Sequence, residues 1–204
     1  MIISRDESLF SIRDLYCENN DGTLFLRWNW RNDVDEAAIY LFPENVELSE
    51  QLLLSSSPLR RVTQREFGYG LTLSVDSYER VRLVIFPCFL DGDDTVLALQ
   101  NDGSNELFIV PRKRTVEYRI RESRGFFSSV KTVVIDIRCD CTVPASLLCY
   151  TVKSSGASYP IPFELHPGDN VIDSLPPVPR RDSVSLAFVE PARDAPLYNL
   201  RKLP

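Results

Sequence analysis

The stretch that decides the fold reads Asn19-Asn20-Asp21-Gly22 and then Thr23-Leu24-Phe25-Leu26-Arg27-Trp28-Asn29-Trp30. Asn, Asp and Gly are the residues that tight turns require, whereas the run after them carries the aromatic residues that strands favour. A turn cluster followed by such a run predicts a β-hairpin. Apolar runs and turn clusters alternate in the same way along all 204 residues. The chain is therefore predicted to be all-β.

The predicted strands divide into two sets of similar size. The first set comprises 8–17, 23–30, 36–42, 46–54, 71–75, 81–90, 95–100 and 106–110. The second set comprises 116–120, 131–141, 146–153, 161–166, 171–174, 184–189 and 197–203. A helix is predicted only at 59–67, where Val62 and Glu66 are four residues apart and Gly68 follows as a stop.

A polar linker, Pro111-Arg112-Lys113-Arg114, separates the two sets and predicts two domains, 1–111 and 112–204. Each has the size of one immunoglobulin-like sandwich. Charge divides at the same place. Residues 1–111 carry 19 acidic and 9 basic side chains, a net charge of −10, whereas residues 112–204 carry 10 acidic and 14 basic, a net charge of +4.

The run from Leu24 to Trp30, followed by Asp33-Val34-Asp35-Glu36-Ala37-Ala38-Ile39-Tyr40, resembles strands B and C of a fibronectin type III domain. Trp28 matches the core tryptophan of that family. The six-residue offset from Val75 to Val81 resembles the family's E–F corner, with valines where the family usually has Leu and Tyr. The resemblance covers about residues 8–110 and implies a β-sandwich fold, but it implies no particular function. The second half is similar to a generic immunoglobulin-like sandwich.

Overall charge and composition exclude several classes of function. The chain has a net charge of −6 and a pI near 4.9, so it would be repelled by phosphate backbones and anionic lipid. No nucleic-acid or membrane partner is expected. The single histidine, His166, excludes multi-histidine metal sites. The first residues, MIISRDESLF, contain no apolar segment of a signal peptide, so a cytoplasmic location is expected.

Three cysteines form a candidate site for a thiolate-bound metal. Cys139 and Cys141 lie two residues apart and share a strand face, and Cys149 lies on the next predicted strand. Three thiolates could hold zinc or copper(I). The competing interpretation is favoured: Cys139 and Cys141 continue the inward stripe of Ile135 and Ile137 and behave as small buried apolar residues. All five cysteines are expected to be free thiols, with no bound metal.

Other candidates each have an ordinary structural interpretation that is favoured. Asp91-Gly92-Asp93-Asp94 could clasp calcium but is typical of a solvated hairpin turn. Trp28 and Trp30 could stack on sugar rings, but Trp28 is predicted to be core. The segment Pro176-Pro177-Val178-Pro179-Arg180-Arg181 could dock as a polyproline peptide but is predicted to form a rigid loop.

Two features remain for recognition of a partner. Gly125-Phe126-Phe127 is a candidate for an exposed apolar tip, and an A–B loop tucked over the sandwich end explains these residues equally well. The basic residues Arg112, Lys113, Arg114, Arg119, Arg121 and Arg124 could meet nucleic acid, but a face for an acidic protein surface, including that of the first module itself, is favoured.

The sequence predicts two tandem immunoglobulin-like β-sandwiches, the first like fibronectin type III. It contains no phosphate-binding loop, nucleophile elbow or Cys/His pair, so no enzymatic activity is predicted and no catalytic, cofactor or metal residue is assigned. The predicted function is a non-catalytic protein-interaction or scaffolding module whose binding residues are left unassigned. The alternative is a carbohydrate-associated accessory module, which requires Trp30 and the Phe126-Phe127 tip to be exposed and coplanar with a groove.

Overall fold

A computed structural model of the chain describes residues 1–5, 12–30 and 34–204. The chain divides into two compact units, Met1–Arg112 and Lys113–Pro204, one residue beyond the predicted boundary. Strands make up 52% of the structure and helices 7%, so the all-β prediction is confirmed. No helix in the described ranges is long and apolar enough to cross a membrane.

Within its described residues the first unit contains nine strands and two short helices. The strands are β1 (Ile2–Ser4), β2 (Arg13–Asn20), β3 (Thr23–Asn29), β4 (Glu36–Pro43), β5 (Arg60–Thr63), β6 (Leu71–Ser74), β7 (Val81–Asp91), β8 (Asp94–Ala98) and β9 (Glu106–Ile109). The helices are α1 (Glu50–Ser55) and α2 (Gln64–Phe67).

Two sheets of the first unit share one core. The smaller has the order β2-β3-β6, and the larger has the order β1-β8-β7-β4-β5 with β9 paired to the first half of β7. Leu24 and Leu26 of β3 join Leu83 and Ile85 of β7 in one buried cluster. Because side chains alternate along a strand, these are the inward faces of the two sheets. The arrangement is sandwich-like.

The hairpin predicted from Asn19-Asn20-Asp21-Gly22 is confirmed, although Asn19 and Asn20 end β2 and only Asp21 and Gly22 form the turn to β3. Both residues have positive φ, 47° and 87°, as a two-residue hairpin turn of this kind requires. A Cβ at Gly22 would lie 2.7 Å from the Val75 carbonyl oxygen. Only glycine therefore fits this position.

The larger sheet is also covered on its second face. Tyr40 and Phe86 point away from the sandwich core and join Leu53 of α1 in another buried cluster. Burial on both faces explains the nearly continuous apolar run of β7, which does not alternate. Helix α1 and the segment before it thus close a face that a simple sandwich leaves to solvent.

The second unit contains eight strands and one helical turn. The strands are β10 (Arg114–Arg124), β11 (Val130–Cys139), β12 (Leu148–Val152), β13 (Ser158–Pro160), β14 (Gly168–Ile172), β15 (Val178–Pro179), β16 (Val184–Phe188) and β17 (Tyr198–Lys202). The helix is α3 (Pro191–Asp194).

Two sheets also form the second unit. One has the order β14-β11-β10-β17, with β15 paired to β11, and the other has the order β13-β12-β16. Ile135 of β11, Tyr150 of β12 and Leu186 of β16 belong to the buried cluster between them. The first and last strands, β10 and β17, run parallel, from the pair Arg114 and Tyr198 onward.

Two predicted elements of the first unit need correction. The strand predicted at 46–54 is wrong: Ser49 caps helix α1 by accepting a hydrogen bond from the Leu52 N–H at 3.2 Å. The helix predicted at 59–67 is only half right, because β5 comes first and pairs with β4. Helix α2 follows it, with a capping box between Thr63 and Glu66. Of the strand predicted at 8–17, residues 8–11 lie outside the described ranges.

In the second unit the strand predicted at 161–166 is wrong. Pairing occurs before it, in β13, and this segment contributes only an isolated bridge between Val143 and Leu165. Pro160 and Pro162 cannot donate to a ladder, which limits strand formation here.

Candidate interaction surface of the second unit

The turn between β10 and β11 presents two aromatic rings to solvent. This turn, residues 125–129, is called the Phe tip below; Phe126 is 93% exposed and Phe127 is 98% exposed. The Ser128 N–H donates to the Gly125 carbonyl at 3.2 Å, and the Ser128 hydroxyl accepts from the Val130 N–H at 3.2 Å. Of the two interpretations left open by the sequence, the exposed tip agrees with this exposure and the tucked loop does not. Large apolar side chains exposed side by side are typical of a contact surface.

The proline-rich segment lies against this tip. The sequence predicts a rigid loop here, but Val178–Pro179 forms strand β15, which pairs with Val130 and Lys131 of β11. Val178 is buried, and the Arg180 N–H donates to the Ser129 carbonyl at 2.9 Å. Pairing therefore fixes Arg180 beside the Phe tip.

Lys131 is a buried cation beneath the same surface. Its side chain is 3% exposed, and its ammonium group donates to the Glu122 carboxylate at 2.6 Å and to the Asp182 carbonyl oxygen. A buried ammonium requires such partners, because desolvation of an unpaired charge is costly. The hydrogen bond from Lys131 lowers the pKa of Glu122. Sequence reasoning missed Lys131, although it follows the same alternation as the buried residues Val133 and Ile135.

The carboxylate of Asp182 is occupied by other donors. It accepts from the Ser154 N–H at 3.0 Å, from the Ser183 N–H at 2.9 Å and from the Ser154 hydroxyl. These hydrogen bonds, that from the Ser154 hydroxyl first, lower the pKa of Asp182. Asp182 thus holds the loop around Ser154 and stays ionised at neutral pH.

An open cleft of about 630 Å³ lies beside these residues. We call it the basic cleft; its wall is formed by Glu122, Arg124, Lys131, Arg180, Arg181, Asp182 and Ser183. Four cations and two carboxylates give it a net charge of +2. Glu122 is shared between Lys131 and Arg124, whose guanidinium lies 3.2 Å away. No acidic side chain in the described ranges pairs with Arg180 or Arg181.

The basic residues predicted from sequence are not one surface. Arg112 belongs to the first unit and pairs with Asp76 at 3.1 Å. Arg119 and Arg121 are both exposed on β10, but Arg121 donates to both oxygens of Asp136, at 2.5 and 2.6 Å. That pairing lowers the pKa of Asp136 and neutralises much of this face. Only Arg124 of the predicted group lies at the basic cleft.

The two tryptophans lie in the first unit. Trp28 is 5% exposed, and its ring centroid lies 4.1 Å from that of Phe67. Its assignment to the core is confirmed. Trp30 is half-buried and packs on the same Phe67 ring, with centroids 5.4 Å apart. Both indole nitrogens are buried, and both rings pack on Phe67, whereas sugar stacking requires a ring presented to solvent.

Of the three candidate cysteines, Cys139 and Cys149 are buried, whereas Cys141 is half-buried at the edge of the core. Cys139 is buried with Ile135 and Ile137, as its alternation predicts, and its S–H donates to the His166 carbonyl at 3.0 Å. Burial raises the pKa of Cys139, and it raises the pKa of Cys141 to about 11. Protonated thiols are poor ligands. Across the described ranges no three His, Cys, Asp or Glu side chains cluster as metal ligands would.

Thiol accessibility gives a first testable prediction. In denaturant all five cysteines should react with a thiol reagent, whereas in the native protein Cys88 should react last, since it is buried and its pKa is raised to about 12. Half-buried Cys17 and Cys141 should react earlier. Fewer than five thiols in denaturant, or stoichiometric zinc in elemental analysis, would contradict it.

Asp91-Gly92-Asp93-Asp94 forms the turn between β7 and β8, as the hairpin interpretation predicts. Asp91 and Asp94 are paired across it, and Gly92 has a φ of 61°.

Comparison with known proteins assigns no family, because no family model and no curated sequence matches the chain.

Proposed function

We propose that the chain is a non-catalytic protein-interaction module built of two immunoglobulin-like sandwiches, the first of the fibronectin type III kind. The strand order of the first unit supports this. With β2 as strand A, strands A, B and E form one sheet and strands C, F and G the other, as in immunoglobulin-like domains. Trp28 then lies on strand B, where the resemblance to fibronectin type III places its core tryptophan.

The second unit supports a more general assignment. Its strands β12 and β16 pair as C and F do, but the last strand, β17, joins β10 in the opposite sheet. We therefore assign it to immunoglobulin-like sandwiches without a subtype.

The binding surface in this proposal is the Phe tip together with Arg180 and Arg181. The observation that carries it is the near-complete exposure of Phe126 and Phe127 on a turn held by hydrogen bonds and by β15. Aromatic and arginine side chains are enriched at protein interfaces, and a few of them supply most of the binding energy. The unpaired arginines favour an acidic partner surface.

The rest of the proposal follows from charge and composition. A net charge of −6 opposes nucleic acid and anionic lipid as partners. We propose that the protein acts without a cofactor, and that it works in the cytoplasm.

A carbohydrate-associated module remains the alternative, with less support. It requires Trp30 and the Phe tip to be exposed and coplanar with a groove. Trp30 is half-buried in the aromatic cluster, and the rings of Phe126 and Phe127 meet at 63°. Sugar stacking needs a flatter aromatic surface.

Site-specific cross-linking in the source cell tests the proposal. A photoreactive phenylalanine analogue at position 127 should give one discrete protein adduct, which Arg180→Glu with Arg181→Glu should abolish. The same analogue at Tyr69, which is 97% exposed in the first unit, serves as the matched control. Indistinguishable adducts from the two positions, or no adduct from position 127, would refute the proposed surface.

A further inference from the structure

The basic cleft has more positive charge than its own carboxylates neutralise. Glu122 is bound by Lys131 and Arg124, and Asp182 is bound by Ser154 and Ser183. The guanidinium groups of Arg180 and Arg181 have no carboxylate partner among the described residues. Two positive charges thus remain available on one wall of the cleft.

The cleft also retains a hydrogen-bond donor on a buried group. An ammonium group carries three N–H donors. Lys131 uses two, on Glu122 and on the Asp182 carbonyl, and the part of the chain that the structure describes provides no acceptor for the third. Lys131 forms part of the cleft wall, so its positive charge adds to that of the two arginines.

Strand pairing fixes the backbone that carries these groups. Lys131 pairs with Val178, and the Arg180 N–H donates to Ser129, so the two arginines and the lysine belong to neighbouring, hydrogen-bonded segments. The three prolines at 176, 177 and 179 restrict the backbone that leads to Arg180. A preorganised site loses less entropy when it binds.

We propose that the basic cleft binds a phosphorylated side chain of the protein partner. This inference rests on the proposed function, because it names the chemistry of the group that seats beside the Phe tip. A phosphate monoester carries a charge of about −1.5 to −2 at pH 7 and three acceptor oxygens. It therefore matches two unpaired guanidiniums and one free ammonium donor. A carboxylate carries a single charge and would leave one guanidinium unmatched.

The test uses the full chain, labelled with ¹⁵N and titrated with phenyl phosphate, inorganic phosphate and benzoate at constant ionic strength. Phenyl phosphate should produce saturable shifts of the Ser129, Arg180, Arg181 and Ser183 amides. Benzoate should bind at least about tenfold more weakly, because it offers one charge instead of two. Arg180→Gln with Arg181→Gln should abolish the shifts. The control variant replaces two consecutive arginines of β5 in the first unit, Arg60→Gln with Arg61→Gln. It removes the same charge and should leave the amide shifts unchanged.

Three outcomes of this titration would overturn the inference. Equal binding of benzoate and phenyl phosphate would make the cleft a general carboxylate site, and the absence of saturable shifts would mean that it binds no anion. Inorganic phosphate binding more tightly than phenyl phosphate would identify a free ion as the ligand.

Two further experiments distinguish a phosphorylated protein from a lipid headgroup as the source of the phosphate. Sedimentation with phosphatidylserine vesicles at physiological salt should leave the protein in the supernatant. If the protein instead sediments with the vesicles, and Arg180→Gln with Arg181→Gln abolishes this, the cleft binds a lipid headgroup and the inference is overturned.

Phosphatase treatment of the cell extract should remove the cross-linked adduct formed from position 127. An adduct that survives the treatment would overturn the phosphate inference alone and leave the proposed function standing.

Discussion

Replacement of Trp28 with alanine is expected to lower the free energy of unfolding of the first unit by about 3–5 kcal/mol, the usual cost of truncating a buried aromatic residue. Trp28 is 5% exposed and packs against Trp30 and Phe67, with ring centroids 5.5 and 4.1 Å away. Such a loss is a large part of the ~5–15 kcal/mol that a typical domain has. Urea unfolding followed by the fluorescence of Trp30 measures it.

Two control variants sharpen this prediction. Trp28→Phe should cost less than Trp28→Ala, because it keeps a ring on Phe67 and its loss of the indole N–H breaks no hydrogen bond among the described residues. Tyr69→Ala, at a 97% exposed position, should leave the transition unchanged. If the Trp28→Ala protein unfolds at the same urea concentration as the wild type, the assignment of Trp28 to the core is wrong.

The second large effect is expected at the pair of Glu122 and Lys131. Glu122→Gln should destabilise the second unit by about 2–4 kcal/mol, because it leaves a buried ammonium without its counter-charge. The estimate lies below that for a fully buried pair since the Glu122 side chain is 27% exposed. Lys131→Met should cost less, and the double variant should recover stability relative to Glu122→Gln. Denaturant unfolding of all four proteins forms a double-mutant cycle.

The same pair predicts a dependence on pH. The Lys131 hydrogen bond lowers the pKa of Glu122 in the folded state. The stabilisation is therefore complete at neutral pH, begins to fall near the ordinary carboxyl pKa of about 4.3, and is lost as the pH drops through the lowered value. The pKa of Asp182 is also lowered in the folded state, so Asp182 likewise loses its stabilising contribution as the pH falls. In Glu122→Gln the unfolding free energy should fall less steeply below pH 5 than in the wild type. If the unfolding free energy of Glu122→Gln falls with pH as steeply as that of the wild type, Glu122 does not contribute to the pH dependence of stability.

Much of the fold is predictable where local pattern and tertiary position agree. Strands β3, β4 and β7 begin at the residues that the sequence predicts, because polar residues precede each of the three runs. Helix α1 was missed because the run Val46-Glu47-Leu48-Ser49-Glu50-Gln51-Leu52-Leu53-Leu54 is as apolar as a strand. The Ser49 cap and the four-residue spacing of Leu48 and Leu52 were the available signals. Its docking on the larger sheet is a tertiary effect.

The candidate surface was predictable only in part. Phe126 and Phe127 follow a glycine and precede two serines, a pattern that indicates an exposed turn. The basic cleft depends on β15 pairing with β11, which brings Arg180 close to residues 50 positions earlier in the chain. A two-residue strand containing a proline has no sequence signature. The closeness of Arg180 to Lys131 is therefore a property of the fold.

The parallel pairing of β10 with β17 affects the order of events during synthesis. Arg114 and Tyr198, the first pair of this ladder, come from opposite ends of the second unit. Long-range pairing slows folding, because a large loop must close before the contact forms. A ribosome has to release the residues of β17 before this five-stranded sheet can be completed. Until then the edge of β10 is unpaired, so this unit is expected to be the one that needs protection from aggregation while the chain emerges.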